Sequence, residues 1–181
     1  ISEDHMDRYD SLADYANAKK RIHFHSKLAV LNHDDELTYT AHQPQVSFGI
    51  KQGDLHLLDG AFNLDGQKQI QTSELKVIGI HNELNALAVM ALLSRLNLSF
   101  EIYKRAFNQF SGLAHRCQLV AEDNGVIYVN DSKATNDDAA SKALSSFKHI
   151  FWCAGGIPKE KKLTNCIAHL SHVERAYLYG D

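Results

Sequence analysis

The sequence predicts an α/β protein, and three observations support that class. Helical periodicity of apolar residues recurs along the chain. Short strand-like runs alternate with these helical stretches, most regularly after residue 111. The composition, 44% hydrophobic and 23% charged among 181 residues, is typical of a protein with a packed core. This length allows one domain or two small ones, and the change of rhythm divides the chain into residues 1–111 and 112–181.

The first piece begins with a helical stripe over residues 10–25, in which Tyr15 and Lys19 lie one turn apart. Glycines punctuate the alternating runs between residues 46 and 75, and this pattern predicts a region of antiparallel hairpins. The further elements predicted in this piece are strands at 27–32, 46–50, 54–58, 61–64 and 69–75, then helices at 82–96 and 99–109.

The second piece opens with two strands joined by Asn124-Gly125, a dipeptide that strongly favours a hairpin turn. After the hairpin, strands and helices alternate, which predicts βαβ units and a parallel sheet. The predicted elements are strands at 118–122 and 126–130, a helix at 135–147, a strand at 150–154, a helix at 163–170 and a strand at 175–179.

Charge and cysteine content exclude several classes of protein. The 19 basic and 22 acidic residues give a net charge of −3, so the chain lacks the basic excess of a dedicated nucleic-acid binder. No apolar stretch reaches the roughly 18 residues of a membrane span. The three cysteines show no C-x-x-C spacing, which fits a reducing cytoplasm. The first and last residues, Ile1 and Asp181, lead us to expect a piece of a longer polypeptide.

Two residues near the start are candidates for metal chemistry. His5 lies in a run of polar residues, where its imidazole could bind a metal or simply sit in a solvated turn. Lys19 follows the apolar positions of the first helix, so we expect its amine to be drawn toward the core and its pKa to fall. A neutral amine there could react with carbon dioxide to form a carbamate. The alternative is a lysine whose stem covers apolar surface while its amine stays in water.

Two loops that follow predicted strands are candidate ligand sites. Residues 130–136 carry Asp131, which could bind ribose hydroxyls, and Lys133, which could face phosphate together with free backbone N–H groups near Thr135. An ordinary turn capped by Thr135 or Asn136 remains the alternative. Residues 154–159 end in Lys159, a cation for a carboxylate or phosphate, or a common surface lysine. We expect both loops to leave neighbouring strands at one sheet edge.

Taken together, six segments resemble the Mur ligase family over almost the whole chain. The two most specific, within residues 112–116 and 130–136, resemble the members that add D-glutamate. The segments are SEDHMDRY at 2–9, ANAKKRI at 16–22, GIHNELNALAV at 79–89, GLAHRCQLV at 112–120, VNDSKATN at 129–136 and AGGIPK at 154–159.

The resemblance implies a fold and a set of site residues. Residues 1–111 would be the second half of a P-loop-type ATPase central domain, and 112–181 the first part of a Rossmann-like C-terminal domain. His5 and Lys19, the latter as a carbamate, match magnesium-binding residues of the family. Lys159 matches the lysine that binds D-glutamate. The residues that match asparagines reading adenine are Asn82 and Asn85, and those that match contacts to ATP, ribose and the acyl phosphate are Arg116, Asp131, Lys133 and Thr135.

The resemblance also implies a reaction. ATP would phosphorylate the carboxylate of UDP-N-acetylmuramoyl-L-alanine, and D-glutamate would displace phosphate, in a step of peptidoglycan precursor synthesis. Magnesium, Arg116 and Lys133 would neutralise charge during phosphoryl transfer, and Lys19 would hold the metal. The implied cofactors are ATP and Mg²⁺, and the implied partners are these small molecules, with neither nucleic acid nor membrane. We expect a cytoplasmic monomer.

Two departures from the family pattern limit the prediction. The sequence has no G-x-x-G-x-x-G-K-[ST] phosphate loop, so we expect residues 1–181 not to turn over alone. Asp137 and Asp138 follow the 130–136 segment where relatives usually carry small residues, and they would compete with a phosphate at that helix start. The alternatives are another amide ligase of the superfamily, such as a folylpolyglutamate synthase, and a non-catalytic nucleotide-binding module.

Overall fold

The computed structural model describes residues 1–2, 6, 8–64, 66–157 and 163–180. The chain divides into two compact units. Unit 1 comprises Ile1–Leu75 and Glu83–Gln109, and unit 2 comprises Lys76–Asn82 and Phe110–Asp181. Both units contain helices and strands, so the predicted α/β class is confirmed. His5 and Lys159, two of the predicted site residues, lie outside the described residues.

Unit 1 contains a five-stranded sheet in the order β1-β2-β3-β4-β5. The antiparallel hairpins predicted here are present in β3-β4-β5, whereas β1, β2 and β3 pair in parallel. β3 starts beside the end of β2, runs in the same direction and overlaps it by only two residue pairs, and Gly53 in the connection has φ of 128°, which suits glycine. The strands are β1 (Ala29–Asn32), β2 (Gln45–Gly49), β3 (Leu55–Leu58), β4 (Ala61–Leu64) and β5 (Gln67–Gln71).

Two helices of unit 1, the second and the third in chain order, pack against its sheet. α1 (Leu12–Lys20) begins where Ser11 accepts a hydrogen bond from the N–H of Asp14, and it is shorter than predicted because a 3₁₀ turn follows at Arg21–His23. α2 (Ile80–Leu93) and α3 (Phe100–Gln109) agree with the predicted helices within three residues at each end. The first three residues of α2 belong to unit 2. The fully buried core side chains include Phe62, Ile70 and Leu87.

The strands of unit 2 start with the predicted hairpin of β6 (Gln118–Asp123) and β7 (Val126–Asn130). Asn124 and Gly125 both have positive φ, at 50° and 79°, as a two-residue primed turn requires. Next come α4 (Asp137–Ser146), β8 (Ile150–Gly155), α5 (Thr164–Ile167) and β9 (Val173–Tyr179), with β8 and β9 parallel. The predicted helix at 163–170 is a single turn followed by a 3₁₀ turn.

The strands of unit 2 form two separate sheets, which corrects one prediction. We expected the loops after β7 and β8 to leave neighbouring strands, but over the described residues β7 pairs with β6 and β8 pairs with β9. A two-residue turn fixes the partner on one edge of β7, while the alternation of apolar residues says nothing about the other edge. Within the described part of the chain, no helix is both long and apolar enough to cross a bilayer.

Candidate active site

The segments 113–118 and 130–135, called here the paired loops, lie against each other in unit 2. The backbone N–H of Cys117 donates to Oδ1 of Asp131 at 2.9 Å, and the N–H of Lys133 donates to the carbonyl of His115 at 3.1 Å. Asp131 is half-buried, whereas Arg116 and Lys133 are exposed. Four of the predicted nucleotide-binding residues therefore lie on two hydrogen-bonded loops, since Thr135 belongs to the second loop.

The β6–β7 hairpin explains why these loops meet. Gln118 at the start of β6 pairs with Asn130 at the end of β7, so the residues before one strand neighbour those after the other. The Asn124-Gly125 turn, recognised in the sequence, sets this register. Counting back from that turn could have predicted the contact, whereas the sequence analysis connected the 130–136 loop with the 154–159 loop instead.

Arg116 lies between two residues with left-handed backbone conformations. His115 has φ of 65° and Cys117 has φ of 42°, values that cost a residue other than glycine about 1–3 kcal/mol each. Hydrogen bonds hold both residues, because the N–H of His115 donates to Oε1 of Gln118 at 2.9 Å and Cys117 donates to Asp131. The backbone that presents the Arg116 guanidinium is therefore fixed on both sides.

The second of the paired loops is a tight turn that ends at α4. The N–H of Ala134 donates to the carbonyl of Asp131 at 2.8 Å, and the N–H of Thr135 donates to the carbonyl of Lys133 at 3.0 Å. The N–H of Thr135 itself is therefore not free, and free N–H groups near it stay a prediction. Asn136 caps α4 by accepting a hydrogen bond from the N–H of Ala139 at 2.8 Å, which identifies the second of the two predicted caps.

Asp137 is turned away from the start of its own helix. Its carboxylate accepts hydrogen bonds from the N–H groups of Asn165 at 2.6 Å and Cys166 at 3.0 Å, in the first turn of α5. Burial raises the pKa of Asp137, but these backbone hydrogen bonds outweigh it and leave the pKa below the usual value. Asp138 forms an ion pair with Lys142. Both carboxylates thus have partners within unit 2, which reduces the expected competition with a phosphate.

The pKa of the Cys117 thiol, which lies in the paired loops, depends on burial and on a neighbouring charge. Burial, and after it the negative charge of Asp131, raises the pKa of the Cys117 thiol to about 11. Cys117 is therefore a neutral thiol at physiological pH. None of the three cysteines forms a disulfide.

Asn82, one of the two residues predicted to bind adenine, lies in the first turn of α2 and belongs to unit 2. Nδ2 of Asn82 donates to the carbonyl of Ile78 at 2.7 Å, which leaves the amide oxygen as the acceptor for a ligand. Asn85 is exposed and belongs to unit 1. The sequence motifs assign no role to His81, whose Nδ1 is buried with no hydrogen-bond partner among the described residues. Burial lowers its pKa, Lys142 lowers it further, and Asp131 opposes both.

Lys19 is exposed, contrary to the expectation that it points into the core. Its Nζ lies 4.9 Å from the ring centroid of Tyr15, one turn earlier in α1. Tyr15 and Ala16 form the buried face of this helix. The amine thus has a cation–π contact rather than a desolvated environment. Its role as a carbamylated metal ligand stays a prediction.

The described residues do not by themselves form a metal centre. They contain no group of three or more histidine, cysteine or carboxylate side chains that could hold an ion. Of the two predicted magnesium ligands, His5 lies outside the described residues. Lys19 is the other, and its Nζ lies 4.9 Å from the ring centroid of Tyr15.

Comparison with known proteins identifies the family. The family described as Mur ligase middle domain matches residues 1–93, about half of the chain. The chain belongs to the Mur ligase family. The resemblance found in the sequence motifs is therefore confirmed.

Curated relatives of this Mur ligase chain carry the name UDP-N-acetylmuramoylalanine–D-glutamate ligase. The protein from Pseudoalteromonas translucida is 43% identical over 189 aligned positions, which cover 99% of this chain and 42% of that protein. The protein from Vibrio parahaemolyticus is 44% identical over 172 positions, covering 91% of this chain and 39% of that protein. The chain thus spans about two fifths of the length of these relatives.

Solved Mur ligase structures share the fold. The UDP-N-acetylmuramate–alanine ligase of Thermotoga maritima superimposes with a TM-score of 0.74 at 26% identity, covering 97% of this chain and 43% of that one. The MurF ligase of Thermotoga maritima, solved in complex with ADP, gives a TM-score of 0.70 at 19% identity over 99% of this chain and 47% of that one. At that identity the second comparison supports the fold alone.

Proposed function

We propose that the full-length protein carrying this chain is an ATP-dependent ligase that adds D-glutamate to UDP-N-acetylmuramoyl-L-alanine. The observation that carries this proposal is the hydrogen-bonded pairing of the loops that bear Arg116, Asp131 and Lys133. The names of the relatives, which are about 40% identical, support the choice of substrates. The product would be a precursor of peptidoglycan.

In the proposed reaction, the γ-phosphoryl group of ATP moves to a carboxylate oxygen of UDP-N-acetylmuramoyl-L-alanine, giving ADP and an acyl phosphate. The amine of D-glutamate then attacks the acyl carbon and loses a proton, and phosphate leaves with the carboxylate oxygen. Arg116 and Lys133 would neutralise charge on the phosphoryl oxygens. This role requires a fixed backbone at Lys133. The N–H of Lys133 donates a hydrogen bond to the carbonyl of His115, which holds the backbone there.

Asp131 would combine a structural and a ligand-binding role. Its Oδ1 accepts the N–H of Cys117, and its other oxygen has no hydrogen bond among the described residues. We propose that this second oxygen accepts a ribose hydroxyl of ATP, while Thr135 contacts the phosphate side. Asn82 and Asn85 would bind the adenine, and Lys159 would bind a carboxylate of D-glutamate. The ADP bound to the MurF ligase of Thermotoga maritima supports nucleotide use in this fold.

The proposed magnesium site has less support from the structure than the proposed nucleotide site. His5 and the carbamate of Lys19 would hold the ion, which would supply positive charge beside the transferring phosphoryl group. The described residues do not fit this role as they stand, because Lys19 is exposed beside Tyr15 and no carboxylate cluster accompanies it. The proposed reaction is therefore assigned to the loop residues. We propose a monomer in the cytoplasm, where ATP is available.

Amino-acid specificity tests this function. We expect the full-length protein, given ATP and UDP-N-acetylmuramoyl-L-alanine, to release phosphate and form one product with D-glutamate, but not with L-glutamate or diaminopimelate. Chain extension of a folate substrate with L-glutamate would favour the folylpolyglutamate synthase alternative. Binding of ATP without turnover in the presence of any of these amino acids would favour the non-catalytic module.

A further inference from the structure

The side-chain amide of Asn130 bridges the paired loops, and its orientation can be deduced. One atom of the amide faces the backbone N–H of Ser132 at 3.0 Å, and the other faces Nδ1 of His115 at 3.0 Å. A backbone N–H can only donate, so the atom facing Ser132 must be the amide oxygen. The atom facing His115 is then the NH₂ group, which can only donate.

This orientation determines where the proton of the imidazole lies. Because the Asn130 NH₂ donates to it, Nδ1 of neutral His115 must carry a lone pair, and the proton must be on Nε2. The backbone of His115 is occupied as well, since its N–H donates to Gln118 and its carbonyl accepts from Lys133. The Nε2–H group is the one polar group of this exposed residue that the described residues leave available for a ligand.

Other histidines of the chain have the opposite arrangement. Nδ1 of His149 faces Oε1 of Glu174 at 2.7 Å, and Nδ1 of His172 faces the carbonyl of Leu144 at 3.1 Å. Carbonyl and carboxylate oxygens only accept hydrogen bonds, so these rings must carry a proton on Nδ1. The arrangement at His115 therefore depends on the neighbouring amide and is not a general property of histidines in this protein.

We propose that Asn130 is a positioning residue that holds His115 in the Nε2–H tautomer, so that the imidazole presents a neutral donor to an anionic ligand at the paired loops. The ligand class is a phosphoryl or carboxylate oxygen, because Arg116 follows His115 in the chain and Lys133 is bonded to its carbonyl. The inference that the ligand is such an anion rests on the proposed function. The inference that His115 is protonated on Nε2 does not.

Nitrogen NMR of the full-length protein labelled at histidine tests the tautomer directly. At a pH about two units above the usual histidine pKa of about 6.5, the rings are neutral and the two nitrogens have distinct shifts. We expect His115 to be protonated on Nε2 and His149 on Nδ1, with His115→Gln and His149→Gln assigning the signals. A wild-type His115 protonated on Nδ1, or an even mixture of tautomers, would overturn the proposal.

The substitution Asn130→Asp reverses the hydrogen bond without removing the bridge. One carboxylate oxygen still accepts from Ser132, while the other can only accept from the imidazole, so we expect His115 to switch to the Nδ1–H tautomer. The matched control is Asn124→Asp at the hairpin tip, which makes the same chemical change beside Asp123 and leaves His115 unchanged. An unchanged His115 spectrum in Asn130→Asp would contradict the proposal. If this variant fails to fold, the wild-type spectrum decides alone.

Kinetics of the same variants test the positioning role. We expect Asn130→Asp to lower kcat on the order of 10- to 100-fold, with a much smaller change in KM for ATP, and Asn124→Asp to leave both unchanged. A full tautomer switch with unaltered kcat would refute the positioning role. If the wild-type protein makes no D-glutamate adduct at all, the proposed function fails, and the NMR measurement still decides the relation between Asn130 and His115.

Discussion

The backbone N–H of Cys117 and the carboxylate of Asp131 form a 2.9 Å hydrogen bond that joins the start of one strand to the end of the next. The same carboxylate adds to burial in raising the pKa of the Cys117 thiol to about 11. Asp131 therefore stabilises a left-handed residue and suppresses a thiolate beside Arg116. An acidic residue expected to bind ribose also maintains the local backbone.

Replacing Asp131 by Asn should make Cys117 more reactive. The amide oxygen can still accept the Cys117 N–H, but the negative charge is lost, so the pKa of the thiol should fall from about 11. We expect several-fold faster alkylation of Cys117 by iodoacetamide at a pH near 9, measured by peptide mass spectrometry. The exposed Cys153 is the internal control. Equal rates at Cys117 in the two proteins would show that Asp131 does not control the thiol.

Replacing Asp137 by Ala should loosen α5. The substitution leaves the N–H group of Asn165 and the buried N–H group of Cys166 without this acceptor, at a cost of about 1–3 kcal/mol for the buried group. Hydrogen exchange at these two amides should then accelerate by roughly 5- to 150-fold. Asp138→Ala, which removes a partly exposed ion pair with Lys142, should have little effect there. Equal protection in both variants would contradict the capping role.

The stability that Asp137 contributes should depend on pH in a defined direction. Its pKa in the folded protein lies below the unfolded value of 3.8, so the carboxylate stabilises the fold fully above that value and less as the pH falls. We expect the Tm difference between wild type and Asp137→Asn to be constant from about pH 5 to 7 and to shrink below about pH 4. A difference that grows at low pH would mean that the folded pKa is raised.

Replacing Lys19 by Ala tests the predicted carbamate. In the full-length protein we expect loss of ligase activity by more than about 100-fold, because the proposed magnesium ion would lose an anionic ligand. Added bicarbonate should not restore activity, whereas a small carboxylic acid could replace the carbamate. The neighbouring Lys20→Ala is the matched control and should remain active. Near-normal activity of Lys19→Ala would end the assignment of this residue to a metal site.

Local signals in the sequence were sufficient for most of the fold. The Asn124-Gly125 turn and the alternation around it predicted the β6–β7 hairpin within one residue. The parallel pairing of β2 with β3 was missed, because these strands overlap by only two residue pairs and the glycine between them is also typical of a hairpin. The helix predicted at 163–170 is one turn long. The first N–H groups of this helix, α5, donate to the carboxylate of Asp137 in α4, and no local pattern in the sequence reveals that contact.

The site was predictable to a smaller extent. Motifs indicated Arg116, Asp131 and Lys133, and the structure places them on loops that are bonded to each other. The expected burial of Lys19 was wrong, because a position one turn after the buried Tyr15 does not decide whether that end of the helix face is covered. The role of Asn130 was not predictable, since it depends on two hydrogen bonds to residues in different segments.

The origin of the oxygen in the released phosphate tests the proposed reaction most directly. UDP-N-acetylmuramoyl-L-alanine labelled with oxygen-18 in its carboxylate is incubated with the full-length protein, ATP and D-glutamate. If an acyl phosphate forms, breaking its C–O bond transfers one labelled oxygen to each phosphate, and Lys133→Ala should reduce the rate of this transfer. Phosphate that carries no label, or that is released at the same rate without D-glutamate, would contradict the proposed ligase reaction.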